Sequence, residues 1–244
     1  MNPIATPPLA GDRAGSRTRH LDTGSRMWAS RLIGALFLAG FIVYGTGSFL
    51  VTSVLDGDDF LAGVGAKETT LALGAFLMIA TTAIDIGKAV IFFPVLERNG
   101  RRTAVAYLAT MIFEMAMMTV GVLALLMVIP LADRASEIGA DTAQALGSLA
   151  VDANETAYQI GQLSLAFGAL FLCALLFRTG LVPRWLAALG LLGYALHMVG
   201  SGAELFGAPI SLALLIPGAI FEITLAFWLI IKGFDQAAYD RPAR

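Results

Sequence analysis

Residues 69–96 read TTLALGAFLMIATTAIDIGKAVIFFPVL, an apolar run interrupted by Asp85 and Lys88. At about 1.5 Å of rise per residue, a helix of this length exceeds the ~30 Å hydrocarbon core of a bilayer. Backbone polar groups cannot stay unpaired in lipid, and the run lacks the alternation of a barrel strand, so it predicts a transmembrane helix. Its two ionisable side chains are costly at mid-membrane, about 2.5 to 3.5 kcal/mol each on insertion scales. Residues of this kind pair, face the bundle interior and mark function.

Outward from this run, five further stretches have the same character: 32–55, 104–129, 158–177, 185–206 and 210–231. Composition agrees, since the 244 residues are 57% hydrophobic and only 14% charged, with a mean hydropathy of +0.77. Soluble domains do not reach such values. The expected fold is all-α, a polytopic membrane bundle of six transmembrane helices over residues 31–232. Residues 1–30, with Arg13, Arg17, Arg19 and Arg26 among Pro, Gly and Ser, predict a disordered basic tail, and 233–244 a short cytoplasmic tail. The apolar run from Leu32 is too long for a signal-peptide core and reads as an anchor. Met27 directly precedes Trp28 and the first span, so it is an alternative to Met1 as the natural start.

Thirteen of the 16 Lys and Arg fall in the N-terminal tail, the 97–103 and 178–184 turns and the C-terminus. The opposite loops hold Lys67 and Arg134 among many carboxylates, including Asp56, Asp58, Asp59 and Glu155. The positive-inside rule therefore predicts cytoplasmic N- and C-termini, and Trp28, Trp185 and Trp228 fall near the same interface. In the long loop at 131–157, Leu131, Ala135, Ile138, Ala145, Leu146 and Leu149 recur at helical spacing. A short amphipathic helix on the outer face is expected there, as a cap over the bundle or as a lid or partner surface.

The charged centre comprises Asp85, Lys88, Glu114, His197 and Glu222. Counted from the basic ends of the spans, all five lie roughly 12 to 17 Å deep, within about one helical turn of one another. Asp85 and Lys88 share a helix face and can pair. The short 97–103 turn makes the second and third spans antiparallel neighbours, which predicts a triad of Asp85, Lys88 and Glu114. His197, Ser201 and Glu204 form a polar ridge near Gly190, Gly193 and Gly200, small residues that admit another helix closely. Pro217-Gly218, just before Glu222, predicts a kink or break beside an intramembrane carboxylate. One Lys faces three carboxyl groups, so a proton or a bound cation is expected to offset the surplus.

Other chemistry is poorly supported. Cys173, the one cysteine, lies in an apolar run and reads as core, and it excludes an internal disulfide. With His20 and His197 as the only histidines, no zinc motif forms, while a carboxylate site for another cation stays open. The Gly45-Thr46-Gly47-Ser48 stretch sits inside an apolar helix with no base nearby, and the methionines 111, 115, 117 and 118 read as adaptable packing. No catalytic residue and no cofactor are expected, and an enzyme is the less favoured class. The charge pattern suggests no nucleic-acid partner.

Several segments in order resemble one family: RLIGALFL at 31–38, FPVLER at 93–98 with the stretch 107–114, LVPRWL at 181–186 with GLLG at 190–193, and Glu222 through WLIIKGF at 228–234. Together they resemble the bacterial membrane-protein family of domain of unknown function 4386 over about residues 31–234. The resemblance implies six membrane helices in a bacterial inner membrane and supplies no catalytic residues. Two functions compete. In one, the chain is a small transporter or a ligand- or proton-handling protein, its mid-membrane cluster receiving a small polar or cationic ligand. In the other it is a structural, accessory or sensory protein whose charges only organise the bundle. The lipid bilayer is the partner common to both.

Overall fold

The computed structural model of the chain describes residues 11–57 and 59–240. Residues 1–10 of the basic tail, Asp58, Arg241 and Arg244 lie outside the described residues, as do the side chains of Arg13, Arg17 and Arg19. The described chain is helical: α1 (Gly11–Leu55), α2 (Leu61–Leu126), α3 (Val128–Asp133), α4 (Ala135–Ile138), α5 (Ala140–Thr179), α6 (Arg184–Leu205), α7 (Ser211–Ile231) and α8 (Gln236–Tyr239). Five of these, α1, α2, α5, α6 and α7, are long and apolar enough to cross a membrane.

Helix α2 supplies two crossings. Were its 66 residues straight, Phe92 and Tyr107 would stand ~22 Å apart along the axis, yet their rings meet edge to face with centroids 6.2 Å apart. The chain reverses at Gly100, whose φ of 179° and ψ of 87° leave the helical region. The antiparallel arms 61–99 and 101–126 explain why Leu61 and Leu125, at opposite ends of the sequence of α2, share one apolar cluster. Five long helices thus give six crossing segments, at the positions the apolar runs indicated.

Three local expectations are corrected. Helix α1 begins at Gly11 rather than near Arg31, so the stretch 11–30 has helical backbone where composition suggested an unstructured tail. Its later part is anchored: the Arg26 guanidinium donates to the Phe234 carbonyl, and the Phe234 amide donates to the Ser30 hydroxyl at 3.2 Å. The segment 131–157 forms no separate surface helix beyond the short α3 and α4, because α5 runs unbroken from Ala140 into the membrane. No proline interrupts it, and Gly147 seats against the Phe60 ring while Leu146 and Leu149 stay exposed. Helix α7 continues through Pro217 without a break.

Packing closes a ring. α1 contacts α2 and α7, α2 contacts α5, α5 contacts α6, and α6 contacts α7. Glycines set the closest approaches: a Cβ on Gly47 would come within 2.7 Å of the Gly74 carbonyl, and one on Gly193 within 2.7 Å of the Gly218 nitrogen. Without a hydrophobic force between helices in lipid, such small-residue contacts let dispersion hold the bundle. Large side chains such as Phe49, Phe76, Leu192 and Leu212 point outward, as a lipid-facing belt requires.

The basic turns gather at one end. Arg98 lies over the Tyr239 ring at 5.4 Å, the Asp235 amide donates to the Leu181 carbonyl at 2.9 Å, and the Trp185 and Trp228 rings meet edge to face. The buried apolar residues divide into two clusters. One, at the basic end, includes Phe92, Leu96, Leu176, Phe221 and Phe234. The other, at the opposite end, includes Val54, Phe60, Leu71, Leu125 and Val128. The polar residues of the spans lie between them.

Candidate functional site

All five sequence-selected residues, Asp85, Lys88, Glu114, His197 and Glu222, line one cavity of about 260 Å³ inside the helix ring. The space is several times that of one water, which takes about 30 Å³ in the liquid. The five residues come from four segments of the fold. The first arm of α2 carries Asp85 and Lys88, the second arm Glu114, α6 His197 and α7 Glu222. Reversal at Gly100 brings the α2 carboxylates level, and the Gly193–Gly218 contact brings α6 and α7 together beneath His197 and Glu222.

Lys88 and Asp85 form an intrahelical ion pair at 2.5 Å, both nearly enclosed. The Lys88 ammonium also lies 4.2 Å from the centroid of the Phe37 ring on α1, a cation–π contact that adds an interhelical link. On the same helix Gly40 faces Asp85, where a Cβ would stand 3.4 Å from Oδ1 in ordinary contact. The expected triad is therefore a pair with a neighbour. Glu114 lines the same cavity, but among the described residues it joins no ion pair, and its buried Oε2 has no hydrogen-bond partner.

Glu222 is held by a residue that the sequence reading passed over. The Tyr194 hydroxyl donates to Glu222 Oε1 and links α6 to α7. Tyr194 also stacks on His197, with ring centroids 6.2 Å apart. His197 is buried, and its Nε2 has no partner among the described residues. Tyr194 and His197 are three apart on α6, so the spacing that picked out the His197 and Ser201 ridge could have found Tyr194 as well. Gln162 on α5, a polar residue within an apolar span, also lines the cavity. Glu204, grouped with the ridge by sequence, does something else: its carboxylate accepts from the Ser211 amide at 3.0 Å at the start of α7.

A second cavity of about 340 Å³, lined by Asp56, Asn154 and Glu155, lies toward the end opposite the basic turns. It shares Tyr44, Met78 and Tyr158 with the central cavity. Tyr44 and Tyr158 stack with centroids 6.2 Å apart, so this aromatic pair stands between an acidic vestibule and the ionisable centre.

In formal charge, one ammonium faces three carboxyl groups. The Asp85–Lys88 pair neutralises itself, which leaves Glu114, Glu222 and the His197 imidazole in the cavity wall, with Glu114 Oε2 and His197 Nε2 enclosed and without a partner among the described residues. Such a site can exchange protons with water in the cavity or accept a small cation between carboxylates and aromatic faces. Among the described residues no group of three His, Cys, Asp or Glu is arranged to hold a metal ion. Cys173 is fully buried and packs where a Cβ on Gly190 would meet its sulfur, a structural placement.

The chain belongs to the family described as domain of unknown function DUF4386, whose profile matches residues 32–233. The match covers all six crossing segments and the central cavity. No curated protein and no solved structure matches the chain.

Proposed function

We propose that this membrane protein is a small transporter or a ligand- or proton-handling protein, and that its central cavity receives a small polar or cationic ligand or protons in transit. The observation that carries the reading is the convergence of Asp85, Lys88, Glu114, His197 and Glu222 on one roomy cavity, where Glu114 Oε2 and His197 Nε2 have no protein partner. Buried polar atoms are nearly always satisfied, so two enclosed polar atoms left without a partner in a cavity wall are ones that a guest or water would complete. The adjoining vestibule, with Asp56 and Glu155 at its wall, offers a route that favours cations.

The second reading, a structural, accessory or sensory protein whose charges organise the bundle, draws on the Tyr194–Glu222 bond between α6 and α7. Polar interhelical bonds of this kind are worth about 0.6 to 2 kcal/mol in membranes. Proteoliposomes with an entrapped pH-sensitive dye separate the two. Gradients of H⁺, Na⁺, ammonium and tetraethylammonium are applied to wild type, Glu114→Gln and Glu222→Gln. A wild-type response that both folded variants lose supports the handling of protons or cations. Silence toward every gradient, with both variants strongly destabilised, transfers the role to structure.

We also infer a cell-membrane location, an inner membrane in a bacterium, with the basic end and both termini in the cytoplasm. The support is the positive-inside distribution of the 97–103 and 178–184 turns. Cysteines placed at Asn99 and at Asp152 in a Cys173→Ala background test it. In intact cells an impermeant maleimide is expected to label position 152 and spare position 99.

A further inference from the structure

At the basic end lies a cleft that the central site does not use. It has a volume of about 440 Å³ and is bordered by Arg26 from α1, Arg184 from α6, Lys232 just after α7, Trp228 and Asp235. Three cations face it against one carboxylate, and that carboxylate is engaged: Asp235 Oδ1 accepts from the Ala238 amide at 2.9 Å. Among the described residues none of the three cations forms an ion pair. Arg26 is buried, with 8% of its surface exposed. Its Nη1 donates to the Phe234 carbonyl, yet its Nε has no partner among the described residues. A guanidinium enclosed to this degree costs several kcal/mol to desolvate unless an anion or further acceptors offset it. The first turn of α6, which opens on this cleft at Pro183 and Arg184, adds backbone amides and the positive end of a helix dipole.

The geometry points to a phosphate-binding site in this cleft, filled by the headgroup of an anionic phospholipid. Bidentate guanidinium donors, an ammonium and a helix N-terminus are the groups that recognise phosphate oxygens. The lipid source follows from what surrounds them. Trp185 and Trp228 meet edge to face beside the cleft, and the neighbouring Trp185 and Ile231 side chains are exposed on the bundle's outer surface. An acyl chain can lie there while its headgroup enters between Arg184 and Lys232. Aromatic girdles of this kind mark the headgroup level, and basic pockets between helices hold anionic headgroups there. The site is independent of the reading of the central cavity and would serve as an anchor for the α1, α6 and α7 ends.

The test uses the full chain purified in a mild detergent and delipidated. Its melting temperature is followed against added phosphatidylglycerol, phosphatidylcholine or inorganic phosphate, and bound lipid is counted by native mass spectrometry. Arg184→Gln/Lys232→Gln is the variant, since both side chains are exposed and its lipid-free melting temperature should match wild type. Phosphatidylglycerol is expected to raise the wild-type melting temperature, and phosphatidylcholine to do so far less. The double variant should bind phosphatidylglycerol about thirtyfold more weakly, at about fivefold per surface charge. Equal shifts by the two lipids, or an undiminished shift in the variant, would overturn the site. Inorganic phosphate matching phosphatidylglycerol, with the same loss in the variant, would overturn the lipid source and leave a soluble phosphate as the occupant.

Discussion

Replacing Lys88 by Met tests whether the ionisable centre is bound together as its geometry implies. The substitution keeps the length and the apolar stem but removes the ammonium. Asp85, whose side chain is only 13% exposed, then loses the one cation in the centre. Breaking a buried ion pair from one side typically costs about 3 to 5 kcal/mol, because the remaining charge stays enclosed without its partner. The lost cation–π contact with Phe37 adds about 1 kcal/mol, and a Met thioether on the same ring returns a similar amount. Lys88→Met should therefore cost about 3 to 5 kcal/mol. Asp85→Asn/Lys88→Met, which leaves no charge unpaired, should fall within about 1.5 kcal/mol of wild type. The single variant should therefore be less stable than the double by at least about 1.5 kcal/mol, the penalty of leaving Asp85 unpaired. Equilibrium unfolding in mixed micelles titrated with dodecyl sulfate, followed by circular dichroism, measures it. If Lys88→Met alone is as stable as wild type, or the double variant is no better than the single, Asp85 does not depend on Lys88 and the pairing argument fails.

Other substitutions probe the remaining contacts. Tyr194→Phe removes the donor to Glu222 and should cost about 1 to 2 kcal/mol by the same unfolding assay, because a half-buried carboxyl group loses its partner. Gly193→Ala drives a methyl into the backbone of Gly218, which no rotamer change relieves, and should cost about 1 to 3 kcal/mol. Gly63→Ala, in a helix with open space beside it, should gain about 0.5 to 1 kcal/mol. Cys173 should resist maleimide in the folded protein and label fully only in denaturant, as mass spectrometry can report, since it is wholly buried under α6.

Much of the fold was legible because lipid imposes strict terms on sequence. The six apolar runs coincide with six crossing segments, and the Arg-rich 97–103 stretch identified the reversal that splits α2 at Gly100. The Asp85–Lys88 pair follows from three-residue spacing alone. Where reading failed, local pattern was ambiguous. The spacing from Leu131 to Leu149 suits a surface helix as well as an extension of the next span, and only the seat of Gly147 on Phe60 decides between them. Pro217 signalled a break, but its helix is supported by close packing of Gly218 on α6 and stays continuous. Tyr194 was overlooked because a tyrosine in an apolar run reads as core until a carboxylate on another helix supplies its acceptor. Glu114 was placed at the right depth, yet its distance from the Lys88 ammonium depends on rotamers that spacing does not encode.

The two apolar clusters share no residue, and both contribute side chains to the wall of the central cavity, Phe37 and Met111 from one and Met78 from the other. In mechanical language the bundle has a waist: a dry collar at each end and a polar joint between them. Dispersion within a collar is stiff, because close-packed side chains lose contacts with sub-ångström shifts. The joint surrounds a cavity of about 260 Å³ and is not close-packed in this way. Core substitutions in opposite collars, such as Leu96→Ala and Leu125→Ala, should therefore add in their effects on stability, while pairs within one collar couple. Each collar can also open on its own, so amide exchange should resolve two blocks with separate protection, hinged where the five charged and polar side chains face one another.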